Sequence, residues 1–365
     1  MLTRFVFLAL LGCHSSQTSG GPACDGAKLP ATPADLAARG PSPVGVRTVV
    51  SGDLTVEVWY PAKPGTERGA PTARYDLRAS MPPAEAAKIP DADNAWLACE
   101  CTRDLPVDDA HGPYPVVIFL HGAASFRAQS AFLATHWASR GFVVVAPELS
   151  GIGLSAALGG PSGFPLVVPA QVLDLVTRAP ASDPLAFIRT RLAPRVALVG
   201  HSLGSQLAKG VLDRPEVMVR IAMAGAAGDP DDGSSLLVLV GDHDGIAPAD
   251  RAHEGFAQLA RKAPARLAVV RGAGHLAFSD LCLLGADRGG SLAIARAHGV
   301  AVPDIVATLA MDGCRPTDAP FAKTAPAIRA LTAGALEERL RCDARATASL
   351  AALPKTYDLE LVDKR

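Results

Sequence analysis

The sequence predicts a doubly wound α/β fold on a mostly parallel sheet, with an antiparallel hairpin on its N-terminal side and extra helices at its C-terminal end. Three observations predict it. Short, largely apolar runs recur at Val116 to Leu120, Phe142 to Ala146, Arg195 to Val199, Leu236 to Val240 and Arg266 to Val270, separated by segments that can be helical. Unbroken apolar runs are how parallel strands read when helices cover both of their faces. Ser125 to Arg140 has helical spacing between the first two runs, which makes a β-α-β unit. Upstream, the β-branched runs Val46 to Val50 and Leu54 to Tyr60 flank Ser51-Gly52-Asp53, the pattern of a hairpin.

Two stretches interrupt this plan. Residues 61 to 113 scatter Pro, Gly and charges without a sustained period and read as a long, mostly irregular insertion. Residues 276 to 365 are Ala-rich and helical in texture, with Ala327 to Leu340 the best periodic stretch. The expected organisation is a signal peptide over 1–12, a tether and N-terminal segment over 13–45, and one domain over 46–365 that carries both additions.

Composition narrows the functional classes. Of 365 residues, 49% are hydrophobic but only 5% aromatic, so Ala, Val and Leu carry the core. Thirty-five basic residues against 36 acidic ones leave a net charge of -1, with no basic block. The electrostatic footprint of a nucleic-acid binder is missing.

The N-terminus carries targeting information. The apolar run Phe5 to Leu11 follows Arg4, and seven residues fall far short of the roughly 20 that span a bilayer. The run reads as a secretory signal, and Leu10-Leu11-Gly12-Cys13 resembles the bacterial lipobox, in which the Cys is acylated. Ser15, Ser16, Thr18, Ser19 and Gly20 would form the tether. The expected location is therefore the bacterial cell envelope, by a lipid anchor to the membrane, with plain secretion the alternative. Beyond Cys13, the six cysteines Cys24, Cys99, Cys101, Cys282, Cys314 and Cys342 suit disulfides in an exported chain and allow 15 pairings. Cys282 with Cys314 is the preferred pair, because both follow the last candidate catalytic residue. Cys99 and Cys101 also read as half a metal site, but no Cys/His pair of zinc-like spacing accompanies them.

The chemistry begins at Gly200-His201-Ser202-Leu203-Gly204, between the run Arg195 to Val199 and a helical stretch over Gln206 to Leu212. A serine on a sharp strand-to-helix turn adopts strained backbone angles, and flanking glycines keep the turn from clashing with its neighbours. Such a serine needs a base, and the base needs an acid. Asp242-His243-Asp244 follows one apolar run, and Gly272-Ala273-Gly274-His275 follows the next, so the order Ser, acid, His holds. Both lie beyond strand C-terminal ends, where an open α/β sheet places its site. His275 is the best base of the nine histidines; His243 and His253 read as surface residues, and His136 and His298 sit in helical stretches. Asp242 competes with Asp244 for the acid, although a loop Asp more often bonds backbone amides. The second oxyanion donor is expected from His121-Gly122-Ala123, with the Ala123 N–H paired to the Leu203 N–H. Such a donor is worth about 3 kcal/mol in the transition state.

With these residues in place, the chain resembles the α/β-hydrolase superfamily and two esterase branches within it. Val58-Trp59-Tyr60-Pro61, Phe119-Leu120-His121-Gly122, Phe126-Arg127 and Ala138 to Val144 are similar to the platelet-activating-factor acetylhydrolases. Asp244-Gly245-Ile246-Ala247-Pro248 and Gly272 to His275 resemble the bacterial cutinases, polyester hydrolases and dienelactone hydrolases. The second resemblance implies Asp244 as the acid. The first implies an acid after the preceding strand, where this chain has Ala224-Gly225-Ala226 and, nearest, Asp229. The resemblance implies a serine carboxylic ester hydrolase for short- to medium-chain esters, small or polymeric, that needs no metal or organic cofactor.

Two other readings compete. Gly151-Ile152-Gly153-Leu154-Ser155-Ala156 fits a dinucleotide fingerprint, but the acidic residue near the required distance, Asp174, sits in a helical pattern. A non-catalytic, lipid-anchored binding protein would keep the scaffold and lose a catalytic residue, whereas Ser202, an Asp and His275 are all present. The region 205 to 235 is too short for a large lid, so an open pocket is expected unless the insertion or loop 149–168 covers it. The lipobox reading predicts that cells fed labelled palmitate incorporate label into the wild-type chain and not into Cys13→Ala; label in the variant would refute it.

Overall fold

A computed structural model describes residues 28–225 and 231–364. The expected signal peptide, Cys13, the expected Ser/Thr-rich tether, Cys24 and Asp229 lie outside the described residues.

Eleven strands form one sheet. In chain order they are β1 (Val44–Ser51), β2 (Leu54–Pro61), β3 (Thr72–Asp76), β4 (Trp96–Arg103), β5 (Tyr114–Leu120), β6 (Val143–Pro147), β7 (Leu192–His201), β8 (Val217–Met223), β9 (Ser235–Gly241), β10 (Ala265–Val270) and β11 (Leu359–Lys364). Their spatial order is β11-β10-β9-β8-β7-β5-β6-β2-β1-β4-β3. The six strands from β10 to β6 are parallel to their neighbours. The chain runs outward from β5 to β6, then returns to the far side of β5 to begin β7 and continues the other way. The gap between the C-terminal ends of β5 and β7 is therefore the switch point of the sheet, where doubly wound folds bind their ligands.

The apolar runs become strands because each buries both faces. In β5, Val117 and Phe119 join the core on one side of the sheet, whereas Val116, Ile118 and Leu120 join the other. The first core packs on helices Ala131–Ser139 and Phe321–Leu340, through residues such as Trp137 and Leu331. The second packs on helices Val168–Arg178 and Leu203–Lys209, through Val172 and Leu207. The expected hairpin is present, with Val50 opposite Thr55 and Gly52 at φ +56° in the turn.

Two expectations need correction and one an addition. The insertion is irregular over much of its length but also contributes β3 and β4 to the sheet edge; short strands among Pro and Gly give no sustained period. The C-terminal region is not helical to its end, because β11 pairs antiparallel with β10, Leu359 opposite Val270. Helix Ala131–Ser139 begins later than Ser125, because residues 125–130 use their backbone and side chains around the site instead, as when Ser125 O accepts from Leu154 N–H.

A buried ion pair fastens the N-terminal segment to this body. Arg140 Nε donates to Glu337 Oε1 at 2.6 Å, and its remaining nitrogens donate to the carbonyls of Pro33, Asp35 and Ala38. Buried charges are tolerated when every donor is satisfied in this way. Cys282 is joined to Cys314, as preferred from sequence, and Cys99 to Cys101, which replaces the half-metal-site reading. Cys342 is also disulfide-bonded.

The Cys282–Cys314 bridge closes a 32-residue separation, whereas Cys99–Cys101 closes only 2. Chain-entropy arithmetic then gives the longer bridge about 3–4 kcal/mol. Replacing both Cys282 and Cys314 by Ala is expected to lower the urea midpoint accordingly, and an unchanged midpoint would show that other contacts hold the loop.

Candidate active site

Ser202 sits between β7 and helix Leu203–Lys209 with φ +52° and ψ -120°, a conformation an L-residue adopts only under constraint. Its neighbours allow it. A Cβ on Gly204 would lie 2.1 Å from Leu120 O, and one on Gly200 would lie 2.4 Å from Ser205 N. Ser202 N–H donates to Met223 O at 2.8 Å, and Ser205 Oγ donates to Gly200 O at 2.7 Å, so the turn is also bonded shut.

The structure brings the three predicted side chains into one line. Ser202 Oγ lies 2.9 Å from His275 Nε2, and His275 Nδ1 lies 3.0 Å from Asp244 Oδ2. His275 and Asp244 are both buried. In that arrangement Nδ1–H donates to the carboxylate and Nε2 accepts from the hydroxyl. Asp244 Oδ1 also accepts from the Ile246 and Ala247 N–H groups, which fixes the carboxylate within its own loop. Asp242 does the other job foreseen for it: its Oδ1 accepts from Gly272 N–H. His243 and His253 lie at the surface beside Asp318 and Glu360.

The oxyanion candidates occupy adjoining strand ends, because Leu120 is in register with Gly200. Gly122 packs against the elbow, where a Cβ would lie 3.1 Å from Ser202 Cβ, and Ala123 lines the same cavity as Ser202. The N–H groups on either side of Ala123 are engaged, Gly122 with Gln129 Oε1 at 3.0 Å and Ala124 with Ile152 O at 2.8 Å. Leu203 opens its helix, so its N–H belongs to the set left without intrahelical partners.

Several positioning groups were missed from sequence. His121 Nε2 accepts from Leu149 N–H at 2.9 Å, so its Nδ1–H donates to Gly122 O at 2.8 Å and braces the oxyanion loop. His201, read only as a spacer within its motif, reaches from the elbow to His275 O with Nε2 at 2.9 Å. Burial drives its pKa down to about 3, which keeps this ring neutral beside His275. Asp280 accepts from Phe132 N–H at 2.9 Å, and burial pushes its pKa up to about 7. The one sequence signal for His121 and His201 was their place beside residues already singled out.

The pocket is partly enclosed. Ser202 and His275 stand at the floor of an apolar cavity whose walls come from three regions outside the motif. The insertion supplies Leu77, Met81 and Ile89; the Gly-rich loop supplies Leu154 and Leu158; the C-terminal extension supplies Leu292, Val302 and Leu309. Phe126 is the only phenyl or indole ring among the lining residues. Asp174 lies away from this cavity on helix Val168–Arg178, paired with Arg178 and Arg214.

Comparison with known proteins agrees with this fold. A family model described as Chlorophyllase matches residues 105–235, a stretch that holds Ala123 and Ser202 and ends before Asp244 and His275. No curated protein matches the chain. Among solved structures, a ferulic acid esterase from Streptomyces cinnamoneus is similar at 20% identity, with a TM-score of 0.57, over 90% of this chain and 97% of that one. The chain has the α/β-hydrolase fold.

Replacing Gln129 by Ala removes the acceptor for Gly122 N–H in a buried loop. Turnover is expected to fall about 10-fold, less than the roughly 10²- to 10³-fold for outright loss of an oxyanion donor because the loop is loosened and not removed, with a smaller change in KM. Steady-state kinetics in which kcat holds steady would show that His121 alone braces the loop.

Proposed function

We propose that the protein is a serine carboxylic ester hydrolase that works through an acyl-enzyme, with Ser202 as nucleophile, His275 as base and Asp244 as acid. The observation that carries this reading is the hydrogen-bonded line from Ser202 Oγ through His275 to Asp244, built on a strained elbow at the sheet's switch point. The family match and the structural neighbour support the same class, since chlorophyllases and ferulic acid esterases both cleave carboxylic esters.

The chemistry follows from the geometry. Ser202 Oγ attacks the ester carbonyl while its proton passes to His275 Nε2. The Ala123 and Leu203 amides hold the oxyanion, and Asp244 holds the tautomer and stabilises the imidazolium. As the tetrahedral centre collapses, Nε2–H gives its proton to the leaving alcohol oxygen. Water then attacks the acyl-enzyme with His275 again as base, releasing the acid and restoring Ser202.

The cavity points to the substrate class. Aliphatic walls favour an aliphatic acyl or alcohol group of short to medium length over an aromatic acid, which would find the single phenyl ring of Phe126. The signal-like run from Arg4 to Leu11 and the lipobox-like Leu10-Leu11-Gly12-Cys13 support a location at the cell envelope on a lipid anchor.

Turnover of p-nitrophenyl esters should rise with aliphatic chain length until the cavity is filled and should exceed that of a feruloyl ester. Ser202→Ala should lose it by at least 10³-fold, along with labelling by a fluorophosphonate. Retained turnover in Ser202→Ala, or a fluorophosphonate adduct that persists in that variant, would defeat the assignment.

A further inference from the structure

We propose that Asp312, in the C-terminal extension, is a positioning residue that sets the distance between the acid and the base; this rests on the reading of Asp244 and His275 given above. Asp312 is 1% exposed. Its Oδ1 accepts from His275 N–H at 2.8 Å, and its Oδ2 accepts from Gly245 N–H at 3.1 Å. One carboxylate thus bridges the backbone of the base to the residue next to the acid. Its own carbonyl accepts from Leu276 N–H at 2.8 Å, so the two segments are bonded twice.

Strand pairing does not provide this spacing. β9 and β10 end together with Gly241 opposite Val270, after which each chain enters its own loop. His243 N–H donates to Ala273 O and ties the loops near the strand ends. Asp312 ties them again at the level of the reacting side chains. On the opposite side, His201 Nε2 holds His275 O, so the base is gripped at both its backbone N–H and its C=O.

The rest of the loop is built to hold that carboxylate. Asp318 Oδ2 accepts from the Gly313 and Arg315 N–H groups at 3.0 Å, and Ala319 N–H donates to Gly272 O at 2.8 Å. Cys314 is bonded to Cys282, which follows His275 in the chain. Arg315 reaches Asp312 Oδ2 at 3.3 Å from the solvent side. Among the described residues, the charged and titratable groups around His275 include Asp244 from the β9 loop, Asp312 and Arg315 from this loop, His201 from the elbow and Arg78 in the cavity wall, with His243 and Asp318 next beyond.

Asp312→Asn keeps the shape but offers one acceptor and one donor where two N–H groups point, so it pushes the acid loop away from the base. Active sites are counted by fluorophosphonate titration, and kinetics are expressed per titrated site. Expected for Asp312→Asn is a kcat about 10- to 100-fold lower with KM within a few-fold, the cost of a misplacement on the scale of 1 Å. Loss of a negative charge beside the imidazolium should also move the acid limb of kcat/KM down by about 0.3 to 1 pH unit. Arg315→Ala removes the counter-charge from the exposed side and should move the same limb up. A purely structural role would change the number of titrated sites and leave both limbs in place. The proposal is overturned by Asp312→Asn with normal kcat per site and an unmoved limb, or, if that variant does not fold, by an unmoved limb in Arg315→Ala. Wild-type protein that takes up no fluorophosphonate overturns the esterase reading itself, and Asp312's role with it.

Discussion

The backbone at Ser202 is the constraint on which the rest of the molecule depends. At φ +52° the chain turns from strand to helix within one residue, and the turn exists only where Gly200 and Gly204 let adjacent backbones approach within the reach of a single Cβ. Such strain persists when the surroundings over-determine it. Here β8 supplies the acceptor for Ser202 N–H, and the β5 end packs directly against Gly204. The position of Ser202 is thus fixed by two neighbouring strands and by the point where the sheet reverses its order.

The other reactive groups arrive on loops, and loops need tethers. His121 and Gln129 hold the strand-end loop that carries Ala123. His201 reaches from the elbow to the backbone of His275, which links the candidate nucleophile and base without using either side chain's reactive atom. Most of these bonds are made by buried side chains to backbone groups, where a lost partner leaves an orphan N–H or C=O that water cannot reach. Each one therefore adds rigidity as well as free energy.

The additions to the core fold are as much part of the site as the core itself. The insertion extends the sheet with β3 and β4 while its connecting turns place Leu77, Met81 and Ile89 over Ser202. The C-terminal extension closes the opposite wall, covers one face of the sheet with helix Phe321–Leu340, and ends as an edge strand. The same helix supplies Glu337, whose pair with Arg140 anchors the segment 30–40. Cavity, cover and N-terminal attachment thus all draw on the C-terminal extension.

What the sequence by itself determined was local. Five apolar runs identified parallel strands, Gly200 to Gly204 identified the elbow, and the chain order of Ser202, the pair Asp242 and Asp244, and His275 identified the candidate base and two candidate acids, because period and turn chemistry act over a few residues. Val217–Met223 was legible only as the strand that must precede Ala224. Short strands such as Thr72–Asp76 and Leu359–Lys364 carry too little pattern to stand out, and they form because an open sheet edge offers them partners. The contacts of Asp312, His201 and Gln129 join residues that no local rule relates, with separations of 37 and 67 for Asp312 and 74 for His201. The choice between Asp242 and Asp244 was decided the same way, since two carboxylates two residues apart in one loop differ only in which neighbour folding brings within 3 Å. Only tertiary packing decides such distances, because each depends on where entire strands and loops come to rest.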